Sequence, residues 1–427
     1  MKVAVIGGGS TYTPELVNGL VLGAQELELD EVWLMDVDRK RLDIVGGYAW
    51  RMVEAAGRPF SLYLTTCRAD ALRDAAFVET QIRVGGMRAR LADEQLGHRW
   101  GLVGQETTGV GGMAKALRTV PVILSIADDM EQLCPQASLI NFANPSGLVT
   151  EALQRYAPRI RSVGLCNSPI GIQMGIADQE HTGPYEVSLD YLGLNHLAWV
   201  RGARVHGRDV WPAFRDRCLA EMEGHVDSAA PAWLARSMDA IPSGYLRYYY
   251  RTAAVVQAQE TRQPRAARVM EIEEQLLRRY ADPELTALPP ELMERGGAYY
   301  STAAVALMRA LKRSRSEVHI VNTRIHDAVP GWPADWVAEL PCRVSEAGVF
   351  PLPARPLPPL ADGLVHAVKS YEQLTAQAAV TGSVDLALQA LVAHPLGPGA
   401  DHALPFWEDL LQTHAPYLPA FGGRHVR

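Results

Sequence analysis

Lys2-Val3-Ala4-Val5-Ile6-Gly7-Gly8-Gly9-Ser10-Thr11-Tyr12-Thr13-Pro14 is the stretch on which the reading of the fold turns. An apolar run meets three glycines, and from Pro14 to Leu22 the apolar residues recur at helical spacing with a proline in the first turn. That order is strand, glycine turn, helix. Glycines let backbone amides approach an anionic pyrophosphate, and the helix start adds unpaired N–H groups and the positive end of its dipole. Gly7 and Gly9 fit the first two glycines of GxGxxG, whereas Tyr12 stands where the third belongs. A glycine turn without a ligand is the competing reading.

The next apolar run, Glu31 to Met35, ends in Asp36. A carboxylate there can accept both ribose hydroxyls of an adenosine and repels a 2′-phosphate, which favours NAD, although Arg39 and Arg41 keep NADP open. Strand-like runs at Ala76 to Val84, Leu139 to Phe142 and Ile160 to Leu165 continue an α/β alternation. Beyond His196 the helical segments lengthen, and Val318 to Thr323 and Val337 to Val344 read as further strands, with Phe350 to Pro359 a proline-rich connection. The expected class is α/β. A Rossmann-type dinucleotide-binding domain over residues 1–165 would be followed by a mixed α+β domain over 166–427 for metal and substrate binding and oligomerisation, as in lactate and malate dehydrogenases.

Composition narrows the function. The 427 residues are 48% hydrophobic, enough for a large core, and 41 basic against 48 acidic residues leave a net charge of −7. No basic surplus is available for a phosphate backbone, so no nucleic-acid partner is expected. Five cysteines, odd in number and without CxxC spacing, suit a reducing compartment. With no charged-then-apolar leader and no run of ~18 apolar residues, a cytoplasmic protein without membrane association is expected.

Two strand ends carry the chemistry. Gly164-Leu165-Cys166-Asn167-Ser168-Pro169 and Gly193-Leu194-Asn195-His196-Leu197 each follow or end an apolar run, so each could place a polar side chain at the end of a strand. A thiolate and a neutral imidazole make a pair for a divalent transition metal; a buried apolar cysteine and a hydrogen-bonded histidine are the alternative. Gln81 to Arg90 brings Arg83, Arg88 and Arg90 to the end of a strand, where a guanidinium fork suits phosphate, and Gly104 to Gly112 is a second glycine-rich loop. Asn144 either bonds a ligand or caps the helix beginning near Leu148. Tyr245, Tyr248, Tyr249 and Tyr250 crowd six positions; most such tyrosines pack, and one facing a metal could act as a base.

With these segments in hand, the sequence resembles glycoside hydrolase family 4, and within it the 6-phospho-β-glucosidases. The resemblance runs from Met1 to about Ser345 and rests on GGGSTYTP (Gly7 to Pro14), QIRVGG (Gln81 to Gly86), GQETTGVGG (Gly104 to Gly112), NFANPSG (Asn141 to Gly147), GLCNSP, GLNHL and RGGAYYS (Arg295 to Ser301). It implies a glycosidase that uses NAD⁺ and a divalent metal, usually Mn²⁺, instead of paired carboxylates. It implies Cys166 and His196 as metal ligands, Gly7, Gly9, Ser10, Thr11 and Asp36 at the cofactor, and Tyr245 as the catalytic base. Arg90, Asn144 and Asn167 match substrate-binding positions, with Arg265, or as second choice Arg295, on the sugar phosphate. Where members cleaving α-linked substrates tend to have Asp after the metal cysteine, this chain has Asn167, which cannot act as an acid; β-linked substrates are favoured.

The implied route is redox-neutral. Hydride leaves carbon 3 of the sugar for NAD⁺, the ketone acidifies the proton on carbon 2, the aglycone is eliminated, water adds, and the hydride returns. The expected partner is a small phosphorylated disaccharide or aryl glycoside, and the expected assembly a homodimer or homotetramer. The segment from Asn322 to Trp332 departs from the family pattern and is expected to bear on the substrate mouth or the subunit interface. An NAD-dependent dehydrogenase of the lactate/malate type and a non-catalytic NAD-sensing relative are the competing functions.

Overall fold

The structure is a computed structural model describing residues 1–225, 227–296 and 299–422. Gly297 and Ala298 of the RGGAYYS motif lie outside the described residues. The apolar runs of the first 165 residues form parallel strands β1 (Lys2–Ile6), β2 (Glu31–Met35), β3 (Ser61–Thr65), β4 (Phe77–Thr80), β5 (Ser138–Asn141) and β6 (Arg161–Gly164). Their spatial order is 3-2-1-4-5-6, the doubly wound order that binds ligands outside the carboxyl ends of the strands.

The sheet does not stop there. β7 (Val187–Leu194), β8 (Leu197–Val205), β9 (Arg208–Asp209), β10 (Ile241–Pro242), β11 (Glu317–Arg324), β12 (Val337–Ser345) and β13 (Gly348–Pro351) continue it in antiparallel pairing. The path runs β10-β8-β7-β12-β11-β6 and on through the parallel half. β7 with β8, β8 with β9 and β12 with β13 pair through two-residue turns, as antiparallel strands can.

The helix Thr13–Leu27 packs closely on Tyr300–Lys312 because Gly19 and Gly23 have no side chain. A Cβ on Gly19 would lie 2.3 Å from Ser301 Cβ, and one on Gly23 would lie 2.5 Å from Val305 Cγ1. Helix Gly109–Leu133 has the length and composition of a membrane span, yet 78% of its apolar window is buried inside the fold, against Pro359–Thr381 and Ser146–Tyr156.

Four expectations need correction. The strand expected over Ala76 to Val84 ends at Thr80, and Arg88 and Arg90 lie on a helix, Gly86–Arg99, not in a loop. That helix buries Asp93 and Glu94 alongside Met87, Ala89 and Leu96, so its apolar spacing is diluted by paired charges. Within Phe350 to Pro359, the first two residues belong to β13 and Pro359 opens a helix. A last helix, Ala400–His414, carries no motif and was not anticipated.

Candidate active site

The glycine turn sits at the carboxyl ends of β1 and β2. Gly7 takes φ +103°, and the amides of Gly7 and Gly8 donate to Met35 O at 2.9 and 2.8 Å. Gly9 N donates to Asp36 Oδ2 at 2.9 Å, and a Cβ on Gly9 would sit at that same distance from the oxygen. Asp36 is thereby held against the turn, half-buried, its second oxygen accepting Asp38 N. Ser10 Oγ accepts the Tyr12 amide. Thr11 is fully buried, its hydroxyl donating to Glu273 at 3.2 Å and its carbonyl accepting the Tyr280 hydroxyl. Arg41, the residue that kept NADP open, donates to Gly9 O and to Glu273.

Cys166 and His196 come together. Cys166 is the N-cap of helix Asn167–Glu180, and His196 is the second residue of the two-residue turn joining β7 to β8, in the left-handed region at φ +64°. The Cys166 Sγ lies 3.6 Å from His196 Nε2, both side chains buried. Metal–sulfur and metal–nitrogen bonds of about 2.3 Å and about 2.1 Å span that gap, so the pair fits a shared divalent metal. Burial, with the charge of Lys115, pushes His196 down to about 3, so its ring is neutral and free to ligate. Burial and Glu339 push the Cys166 thiol up to about 11, opposed by the amide and hydroxyl of Ser168. A bound cation and the helix start both favour the thiolate.

Tyr245 is delivered by strand pairing. β10 pairs with Val200 and Trp199 of β8, Ser243 N donates to Ala198 O, and the Tyr245 ring lands on the His196 imidazole, centroids 3.8 Å apart. Of the tyrosine cluster it is the one facing this pair. Tyr249 instead packs beside His394. Burial, then Cys166, Tyr248 and Tyr300, hold the Tyr245 phenol well above its ordinary pKa.

The arginines gather from separate elements. Arg90 bridges Glu94 at 3.0 Å and Glu106 at 3.1 Å, and Arg265 lies within electrostatic reach of both Arg90 and Arg295. Arg265 is exposed, its guanidinium donating to the carbonyls of Glu294 and Arg295. Arg295 pairs with Glu273 at 3.0 Å over the ring of Tyr12, while Arg88 is exposed on the other helix face. Asn144 does not cap the following helix, whose N-cap is Pro145; its side chain bonds Tyr300. Asn167 opens the Cys166 helix, with Oδ1 3.9 Å from the sulfur.

Sequence reading missed several buried groups here. Glu106 is held by Arg83, Arg90 and Lys115, and these cations outweigh its burial to keep it ionised. Lys115 is pushed down to about 7 by burial and by Arg83. Tyr300 lies between Tyr12 and Phe142, bridging the glycine turn and the Asn144 loop. A lysine and an arginine, Lys115 and Arg118, in the buried first half of the helix Gly109–Leu133 were the available signal.

Comparison with known proteins places this geometry. The sequence model described as "Family 4 glycosyl hydrolase" matches residues 2–181, and that of the "Family 4 glycosyl hydrolase C-terminal domain" matches residues 191–397. The chain belongs to family 4 of the glycosyl hydrolases. It is similar to a Bacillus subtilis (strain 168) protein named "Probable 6-phospho-beta-glucosidase", 42% identical over 99% of this chain and 98% of the relative. It is similar also to a solved 6-phospho-beta glucosidase of Thermotoga maritima with manganese, NAD⁺ and glucose-6-phosphate, at TM-score 0.92 and 37% identity, covering 98% and 99% of the two chains. A Cryptosporidium parvum malate dehydrogenase, at TM-score 0.50 and 13% identity over 89% of this chain and 98% of its own, shares the fold alone. The family likeness therefore extends past Ser345, where the resemblance was expected to end. The later helices are held to the core by contacts such as Lys369 to Val337 O and Glu151, which leave no short motif.

Proposed function

We propose that this family 4 member hydrolyses 6-phospho-β-glucosides, with NAD⁺ and a divalent metal, by the redox-neutral route. The observation that carries the reading is the 3.6 Å approach of Cys166 Sγ to His196 Nε2 with Tyr245 stacked against the imidazole. Bound NAD⁺ and metal would supply a reversible hydride acceptor and polarisation of the oxidised sugar. The chain supplies the rest. The glycine turn would let the pyrophosphate approach the start of the Thr13–Leu27 helix, and Asp36 would accept the ribose hydroxyls. Cys166 and His196 would hold the metal, as thiolate and neutral imidazole. Tyr245 takes the proton from sugar carbon 2, a task for which its phenol must be brought down from the high pKa that burial imposes. Asn144 and Asn167 orient sugar hydroxyls, and Arg90 and Arg265, with Arg295 behind them, grip the phosphate. Asn167 offers no acid to a leaving group, which supports the β-anomer.

The deciding experiment incubates purified protein with p-nitrophenyl 6-phospho-β-glucoside, NAD⁺ and Mn²⁺. Nitrophenol release that EDTA abolishes, without net NADH, is expected; release indifferent to EDTA, or none, overturns the reading. Stoichiometric NADH would mark a dehydrogenase. We place the protein in the cytoplasm as a homodimer or homotetramer. Its five free cysteines suit a reducing compartment, and exposed Leu22 and Trp233 are apolar surface of the kind a second copy covers. Light scattering reads the assembly.

A further inference from the structure

Between the strand leading to Cys166 and the hairpin carrying His196, the backbone ladder is thin. β6 meets β11 through one residue pair, Gly164 with Asn322, and β12 meets β7 through one, Glu339 with Gly193. Asn322 and Glu339 face each other across β11 and β12, so the four residues form one row across the sheet. Both ends of the row are glycines without room for a Cβ, which would lie 2.2 Å from Thr150 Oγ1 at Gly164 and 2.1 Å from Leu197 O at Gly193. Side chains of the two middle residues complete the join.

Glu339 is fully buried. Its Oε2 accepts the Tyr191 hydroxyl at 2.6 Å, and its Oε1 accepts the amides of Asn322 at 2.9 Å and Asn195 at 3.1 Å. All three partners are neutral; burial raises the carboxyl's pKa and these three hydrogen bonds oppose that rise. Asn195 is the first residue of the His196 turn, and its Oδ1 accepts Gly147 N at 3.3 Å. A ligating imidazole is usually oriented through its other ring nitrogen. Among the described residues, His196 Nδ1 has no such partner. Orientation falls instead to the turn backbone, the Tyr245 stack and the Asn195 anchor.

We propose that Glu339 is a positioning residue for the metal pair. Braced by Tyr191 and Asn322, it holds the Asn195–His196 turn against the β6 end, so that Sγ and Nε2 stand at metal-sharing distance before the cation arrives. The inference rests on the reading of Cys166 and His196 as metal ligands.

The test is Mn²⁺ titration of the metal-free protein followed by electron spin resonance of free Mn²⁺, beside NAD⁺ binding and metal-free melting. Glu339→Gln keeps the size but turns an amide nitrogen toward a donor. Its Mn²⁺ Kd is expected to rise about 10- to 100-fold, with NAD⁺ affinity and melting held close to the parent. Tyr191→Phe loosens the same carboxylate from the other side and should give a smaller rise, which serves if Glu339→Gln does not fold. Asn195→Ala with Glu339→Gln should lose no more than the worse single variant, because both act through one contact. An unchanged Mn²⁺ Kd in folded Glu339→Gln, or in Tyr191→Phe if the first does not fold, overturns the proposal, as do additive losses. A parent protein that binds no Mn²⁺ overturns the metal reading itself, a different result from a parent that binds and a variant that matches it.

Discussion

Tyr245 lies face to face with His196, the two rings 15° from parallel with centroids 3.8 Å apart. A phenol fixed on a ligand ring has its oxygen aimed by the same turn that aims the imidazole nitrogen. Tyr245→Phe keeps the stack and removes only the proton acceptor. Its kcat should fall about 10²- to 10⁴-fold, with Mn²⁺ and NAD⁺ affinities unchanged and exchange of the substrate carbon 2 proton with solvent abolished. Steady-state rates and deuterium incorporation check this; parent-like turnover would remove Tyr245 from the chemistry.

Cys166→Ser exchanges a soft ligand for a weak one at the same N-cap. Since partners behind a ligand cost about 10- to 100-fold in metal affinity, loss of the ligand itself should exceed that range. NAD⁺ binding should survive, because the glycine turn is built from other segments. Calorimetric titration of Mn²⁺ and NAD⁺ into the same sample separates the two.

Asp36 is already bonded to Gly9 N, so it is preset for a ribose without rearrangement. Asp36→Ala removes charge-assisted hydrogen bonds worth about 1.5–3 kcal/mol, and the NAD⁺ Kd should rise about 10- to 100-fold while Mn²⁺ affinity holds. Equal NAD⁺ binding by the variant would place the ribose elsewhere.

Arg90→Ala and Arg265→Ala should each raise KM for a 6-phosphorylated glucoside by about tenfold or more, with little effect on any residual cleavage of the plain glycoside. Comparing the two substrates in each variant is the measurement. A uniform loss on both would mean that these arginines support structure and not the phosphate.

Glu79 gives a stability test independent of the active site. Burial, then the neighbouring Glu15, pushes its carboxyl from 4.5 up to about 8, and its Oε2 has no protein partner among the described residues. Between those values the folded state holds a proton that the unfolded chain has released, so stability falls as pH rises through the window. Glu79→Gln cannot ionise; its Tm should stay near the parent's at pH 5 and exceed it at pH 8 to 9. The same Tm difference at both ends would count against this account.

Much of the parallel half was legible because β1, β2, β5 and β6 are short apolar runs closed by glycine, Asp36 or Asn141, and local pattern suffices. β3 was not read, since Ser61–Thr65 is an edge strand with alternating exposure that its neighbours, not its composition, make regular. The convergence of Cys166 and His196 could be anticipated because each sits at a strand end. The Glu106 cluster and the Glu339 row could not, because a buried charge looks like a surface charge until its partners, contributed by distant segments, are in place. Thr11 shows the reverse. Its place in the turn suggested a ligand contact, and only the helix Arg265–Tyr280 reveals that Glu273 takes its hydroxyl.

Glu273 accepts from Thr11, Arg41 and Arg295 at once. The dinucleotide turn and one guanidinium of the phosphate-gripping group are therefore strapped to one carboxylate. Glu273→Gln should accordingly weaken the binding of nucleotide and of phosphorylated sugar together, which titration with each ligand alone reads.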